Sequence, residues 1–93
     1  QTTVKIIEMK PHSKLSYQYH DKRAEFWRVL SGEGIAILND ERISVTTGDE
    51  IEIPQGAKHR MITEDSAIQW LEISFGEFDE ADTVRLEDDY GRA

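Results

Sequence analysis

From Val4 to Gly76 the chain alternates apolar and polar residues with a period of two, and turn-forming clusters interrupt the alternation at regular intervals. That pattern fits short half-buried strands and leaves almost no room for helices, whose apolar residues recur every three to four positions. "VKIIEM" (4–9) begins the series; "AEFWRVLSG" and "EGIAILND" follow, broken at Gly32 and Gly34. "ERISVTTGD" puts Ile43 and Val45 on one face, and "DEIEIPQG" puts Ile51 and Ile53 on another with glutamates between them. "HRMIT" and "AIQWLEISFG" complete the set, and "SGEG", "LNDE", "TTGD", "PQGAK" and "EDS" supply the turns. Evenly spaced strands of this kind predict an all-β sandwich or barrel.

Ninety-three residues make one domain, 1–93, near the lower limit for burying a core without a staple. There is no cysteine, so disulfides and thiolate metal sites are excluded; a closed sheet, a metal or a partner subunit must supply any reinforcement. The longest apolar run is "IAIL" (35–38), far short of the roughly 20 residues of a membrane span, and no basic, apolar leader is visible. A soluble, cytoplasmic protein is expected. Eleven basic residues against 19 acidic ones leave a net charge of −8, which argues against nucleic-acid binding through phosphate neutralisation. A small anion remains compatible with that charge, because a few local arginines can reverse the field inside a pocket. Seven carboxylates face one arginine in residues 77–89, and the segment 79–93 reads as an acidic C-terminal arm.

"SYQYHDKRAEFW" (16–27) carries more metal donors than a strand ordinarily holds. Gln18 and His20, two apart, point the same way on a strand. Glu25 has the opposite parity and joins them only if the chain bends at "DKRA" (21–24). Beyond the bend Glu25, Trp27 and Val29 share one face, and Phe26, Arg28 and Leu30 the other. His59 follows a turn bracketed by Pro54 and Gly56, which holds it rigidly at the start of the next strand. One amide oxygen, two imidazoles and a carboxylate suit a divalent zinc, manganese, cobalt, nickel or iron ion and leave room for water or substrate. The competing reading makes the same residues ordinary surface groups.

These residues resemble the cupin superfamily. Its first motif is matched by Gln18-x-His20, four residues, Glu25, six residues and Gly32, with Gln replacing the first His. The second is matched by Gly48, five residues, Pro54-x-Gly56, two residues and His59, with Thr63 in place of an Asn, and 15 residues separate Gly32 from Gly48. The resemblance implies a single-domain double-stranded β-helix, or jelly-roll barrel. A narrower resemblance, carried by "LSYQYHDKRAEFWRVLSGEG", "IPQGAKHR" and "TVRLEDDYGR", is to the C-terminal cupin domain of type II phosphomannose isomerases, where it usually follows a mannose-1-phosphate guanylyltransferase domain. That resemblance implies a stand-alone, metal-dependent isomerase interconverting mannose 6-phosphate and fructose 6-phosphate, with Gln18, His20, Glu25 and His59 as metal ligands. Phe26, where the family often has His, and Ser74, where it often has Gln, depart from the pattern.

Isomerisation of a sugar phosphate needs a base and a cationic grip on phosphate. Glu72 shares a face with Trp70 and Ser74; alternation alone leaves open whether that face is the cavity or the solvent side. Arg23, between two ligands, is the first candidate for the phosphate because its fork matches phosphate oxygens. Lys58 and Arg60 read as exposed rim residues, Arg85 and Arg92 as parts of the tail signature, and His12 as exposed. Trp27, Trp70, Phe75 and Tyr17 read as core or cavity wall, and Tyr90 as a packing anchor for the tail. A non-catalytic metal- and sugar-binding cupin module is the second functional reading; a non-haem iron oxygenase is disfavoured by Gln18. The outer apolar face carrying Phe26 and Leu30 predicts a homodimer.

Overall fold

The computed structural model describes residues 2–77 and 80–87. Eight strands account for most of them: β1 (Thr2–Met9), β2 (Tyr17–His20), β3 (Arg23–Leu38), β4 (Glu41–Thr46), β5 (Glu50–Ile53), β6 (His59–Ile62), β7 (Ile68–Gly76) and β8 (Thr83–Glu87). A 3-10 turn, Glu80–Asp82, precedes β8. Among the described residues no helix is long and apolar enough to cross a membrane.

All ladders between the strands are antiparallel. Strand β3 is the shared wall of the jelly roll. Its first half lies between β5 and β7, with β1 beyond β7. Its second half lies between β4 and β6, followed by β2 and then β8. The two segments expected on either side of the glycines are therefore one continuous strand, which slips register against β7 between Val29 and Ser31 and changes partners after Gly32. Gly32 makes this turn of direction feasible. Its φ is +81°, and a Cβ there would collide with the Ala67 carbonyl, so only glycine fits. The β3–β4 hairpin closes at Asn39 and Asp40, both at positive φ (47° and 70°), as a two-residue turn matched to strand twist requires.

The parity expected for β3 holds. Glu25, Trp27 and Val29 are buried, while Arg28 and Leu30 are exposed. Trp27, Val29, Met61 and Trp70 are enclosed almost completely and, with Ala36, Val45, Ile51, Ile53 and Ile68, fill the space between the sheets. Two expectations need correction. Phe75 is 47% exposed, because it shares the outward face of β7 with Leu71 and Ile73. Arg60 is buried rather than on the rim: its Nε and Nη2 donate to the Leu15 carbonyl, and its guanidinium lies over the Tyr17 ring. Part of the acidic C-terminal segment is described. Residues 83–87 form the outermost strand of one sheet, paired with β2; Tyr90 and Arg92 lie outside the described residues.

Candidate metal centre

Strand β2 ends at His20, the chain bends over two residues, and β3 begins at Arg23. The bend reverses the parity, and Glu25 arrives on the same side as His20. The turn before β6 reaches the same place from the other direction: Gly56 N–H donates to the His20 carbonyl (2.8 Å). His59 then lies directly opposite Gln18 in the β2–β6 ladder. Segments distant in sequence are thus tied by backbone before any side chain is considered.

His20, Glu25 and His59 are all buried, and one donor atom from each lies within 4.8 Å of the others. His20 Nε2 is 3.4 Å from one Glu25 oxygen and His59 Nε2 is 3.7 Å from the other. The tautomers follow from the partners. His59 Nδ1 is 3.0 Å from the Ala57 carbonyl, which only accepts, so Nδ1 carries the proton and Nε2 presents its lone pair. Arg23 Nη2 is 3.1 Å from His20 Nε2. A guanidinium only donates, so Nε2 accepts, and Nδ1–H of His20 donates to Thr83 Oγ1 at 3.1 Å. Two imidazole lone pairs and a carboxylate therefore converge, a donor set that fits a divalent transition metal. Burial, reinforced by the charges of Arg23 and His59, lowers the His20 pKa to about 4. Burial also lowers that of His59, so both rings are neutral at pH 7, as ligation requires.

Gln18, half-buried, shares a strand face with His20, and its Oε1 accepts from Ser16 Oγ at 3.2 Å. Glu72 faces inward, which resolves the orientation that alternation left open. It is buried at 9% exposure, opposite Trp27 in the β3–β7 ladder, and its carboxyl hydrogen-bonds Glu25. Burial, then the Glu25 charge and that hydrogen bond, push its pKa up to about 7. Arg23 is also inside, 8% exposed, with Nε 3.6 Å from Glu25.

Several contacts at the site were not read from the sequence. Trp27 Nε1 donates to Glu25 at 3.0 Å, so this core residue also orients a candidate ligand. Asp82 accepts from the backbone N–H of Asp21 and Lys22 (3.1 and 2.8 Å), clamping the bend between His20 and Glu25. Arg85 lies opposite Gln18 in the β2–β8 ladder. Its charge reaches His20, and its buried Nε has no hydrogen-bond partner among the described residues. Trp27 and Arg85 stand in the motif stretches and Asp82 just before the tail motif, but no motif names these contacts.

Residues 1–88 match the family described as mannose-6-phosphate isomerase C-terminal. The chain is 38% identical over 91 residues to the xanthan biosynthesis protein XanB of Xanthomonas campestris pv. campestris, covering 96% of this chain and 20% of that protein. It is 35% identical to a mannose-1-phosphate guanylyltransferase of Klebsiella pneumoniae, covering 96% and 19%. Its fold is similar to that of a cupin protein from Bacteroides fragilis, with a TM-score of 0.76 at 23% identity over 87% of this chain and 74% of that one. The cupin jelly roll expected from the motifs is the fold of the chain.

The expected function needs correction. A stand-alone isomerase interconverting mannose 6-phosphate and fructose 6-phosphate is not what the relatives support. The chain spans about a fifth of their length, and the relative from Klebsiella is named for guanylyl transfer. The match is to the C-terminal domain of larger enzymes.

Proposed function

The chain belongs to the mannose-6-phosphate isomerase C-terminal family, and from that premise we propose that it is the metal-binding cupin domain of a mannose-1-phosphate guanylyltransferase-type enzyme, receiving a phosphorylated hexose in its barrel. His20, Glu25 and His59 hold the divalent ion through two nitrogens and a carboxylate oxygen, and Gln18 adds a neutral oxygen. When bound, such an ion polarises sugar oxygens as a Lewis acid. Zinc, manganese, cobalt, nickel and iron all accept this donor set.

The protein's own groups do the rest. Arg23 and Arg85 supply the positive charge that a phosphate needs inside an acidic protein. Glu72 is the acid–base group; burial raises its pKa towards neutrality, to about 7 in the metal-free protein, the range in which a carboxyl can give or take a proton. The barrel walls, Trp27 among them, keep bulk water from these charges. We assign the domain to the cytoplasm and to a homodimer joined through the outer face of β1 and β7.

The convergence of the two Nε2 lone pairs on Glu25 carries this reading. It is tested by titrating the purified chain with Mn²⁺, Co²⁺ and Zn²⁺, then with mannose 6-phosphate and mannose 1-phosphate. One ion per chain, lost in His59→Ala, and hexose phosphate binding only in the metal-loaded protein are expected. A wild-type chain that binds no divalent ion overturns it.

A further inference from the structure

We propose that Arg23 is the built-in counter-cation of the metal centre, and that a divalent ion enters by exchange with its guanidinium. The inference rests on the metal-binding reading above and adds to it a competitor within the chain.

The guanidinium is already where a cation belongs. Arg23 Nη2 donates to His20 Nε2 at 3.1 Å, and Nε stands 3.6 Å from Glu25 Oε2. It thus engages two of the three candidate ligands, through the atoms a metal would use. The His20 lone pair serves one partner at a time. A metal bonds such a nitrogen at about 2.0–2.1 Å, and a guanidinium nitrogen about 3 Å from the same atom would face a dication across an unscreened, buried gap. The two cations exclude each other. Trp27 holds Glu25 from its other oxygen (3.0 Å) and Thr83 holds His20 from its other nitrogen (3.1 Å), so neither ligand needs to move during the exchange. Arg23, at the first position of β3 and beside the two-residue bend, is the mobile partner.

The purpose of such an arrangement follows from burial. Glu25 is 5% exposed, and a buried carboxylate with no cation beside it is strongly destabilising. Arg23 lets the barrel fold before metal arrives, at the cost of metal affinity.

The experiment compares wild type, Arg23→Gln and His59→Ala by calorimetric Co²⁺ titration and by thermal unfolding in EDTA. Arg23→Gln is expected to bind Co²⁺ about tenfold more tightly and, in EDTA, to unfold several degrees lower than wild type. Those opposite movements separate exchange from a merely structural role, which would weaken both. Unchanged or weaker Co²⁺ binding in Arg23→Gln, alongside normal wild-type binding, overturns the exchange. Wild type and His59→Ala that both ignore Co²⁺ identify the metal reading as the failure, and the exchange falls with it. A measurement on wild type alone needs no variant. The Arg23 Nε–H resonance, assigned by its disappearance in Arg23→Lys, is expected to shift and to exchange faster with water on adding Zn²⁺; a resonance unmoved in the zinc-saturated protein overturns the proposal.

Discussion

Thr83 Oγ1 accepts the Nδ1 proton of His20 at 3.1 Å, across 63 residues of sequence. This contact fixes the tautomer that leaves Nε2 available, and the same stretch of chain supplies Asp82, which clamps the bend before Arg23. Asp82 and Thr83 thereby brace the candidate metal centre.

Thr83→Val keeps the shape of the side chain and removes the acceptor. Groups that orient metal-bound histidines typically account for 10–100-fold in affinity, so Co²⁺ binding is expected to weaken by about tenfold at little cost to folding. Thr83→Ser should restore it. Equal Co²⁺ affinities in the valine and serine variants would detach the tail from the site.

Two glycines of the cupin motifs, Gly32 and Gly48, differ in what surrounds them. Gly32 and Gly48 both have positive φ (81° and 92°), but a Cβ at Gly32 meets the Ala67 carbonyl whereas Gly48 faces open space. Gly48→Ala pays only for backbone strain, about 1 kcal/mol. Gly32→Ala adds a clash with backbone that cannot rotate away, and about 3 kcal/mol or more is expected. Urea unfolding of the two variants measures the difference; equal losses would mean that the close approach of β3 to Ala67 does not matter.

Much of this arrangement was legible because strands have a period of two. Parity placed Glu25, Trp27 and Val29 inward, and the Pro54–Gly56 turn marked His59 as a fixed residue. Parity could not choose between the faces of β7, since Trp70–Glu72–Ser74 and Leu71–Ile73 are both plausible cores; the burial of Glu72 decided it. Phe75 was misplaced for a related reason, its aromatic character outweighing a parity that puts it outside with Ile73. Arg60 was misread because its guanidinium can leave the solvent by lying over the Tyr17 ring while donating to the Leu15 carbonyl. Thr83 and Asp82 stayed hidden, and Arg85 was named without its place opposite Gln18, because β8 reaches β2 only when the second sheet assembles and no local pattern encodes that pairing.

The apolar outer face remains to be covered. Val4 and Ile6 are each 60% exposed on β1, an edge strand, with Phe75 at 47% beside them on β7. Residues 2–7 contain no carboxylate, in a chain whose net charge is −8, so two copies can meet there without acidic repulsion. Light scattering is expected to give twice the 10.7 kDa chain mass, and the monomer mass for Ile6→Glu. A monomeric wild type at high concentration removes the dimer.

Two buried groups make the metal-free protein respond to pH in opposite senses. The folded-state pKa of Glu72, about 7, is above its ordinary 4.5. Its contribution is therefore complete below pH 4.5 and is lost as pH rises through 7. That of His20, about 4, is below its ordinary 6.5, so its contribution is complete above pH 6.5 and is lost as pH falls through 4. Between pH 4.5 and 6.5 the two slopes oppose each other. Glu72→Gln removes the first and leaves the second, so its stability in EDTA should climb steadily from pH 4 to 6.5 and exceed that of wild type above pH 7. Denaturant unfolding across this range checks it, and parallel curves for the two proteins would place the titration elsewhere.

Metal removal tests the unequal standing of the proposed ligands. His59 offers a neutral imidazole fixed by Ala57 O at 3.0 Å, whereas Gln18 offers an uncharged amide oxygen that accepts from Ser16 Oγ at 3.2 Å. A nitrogen donor held in place is worth more to a transition metal than a neutral oxygen on a flexible stem. Metal at a hundred times its dissociation constant stabilises the folded state by about 2.7 kcal/mol, and EDTA should withdraw that amount from wild type. In Gln18→Ala, at the same metal concentration, part of the stabilisation should survive; in His59→Ala none should. Reversal of that order would make Gln18 the stronger anchor and His59 the peripheral one, and the ligand hierarchy would have to be rebuilt around β2.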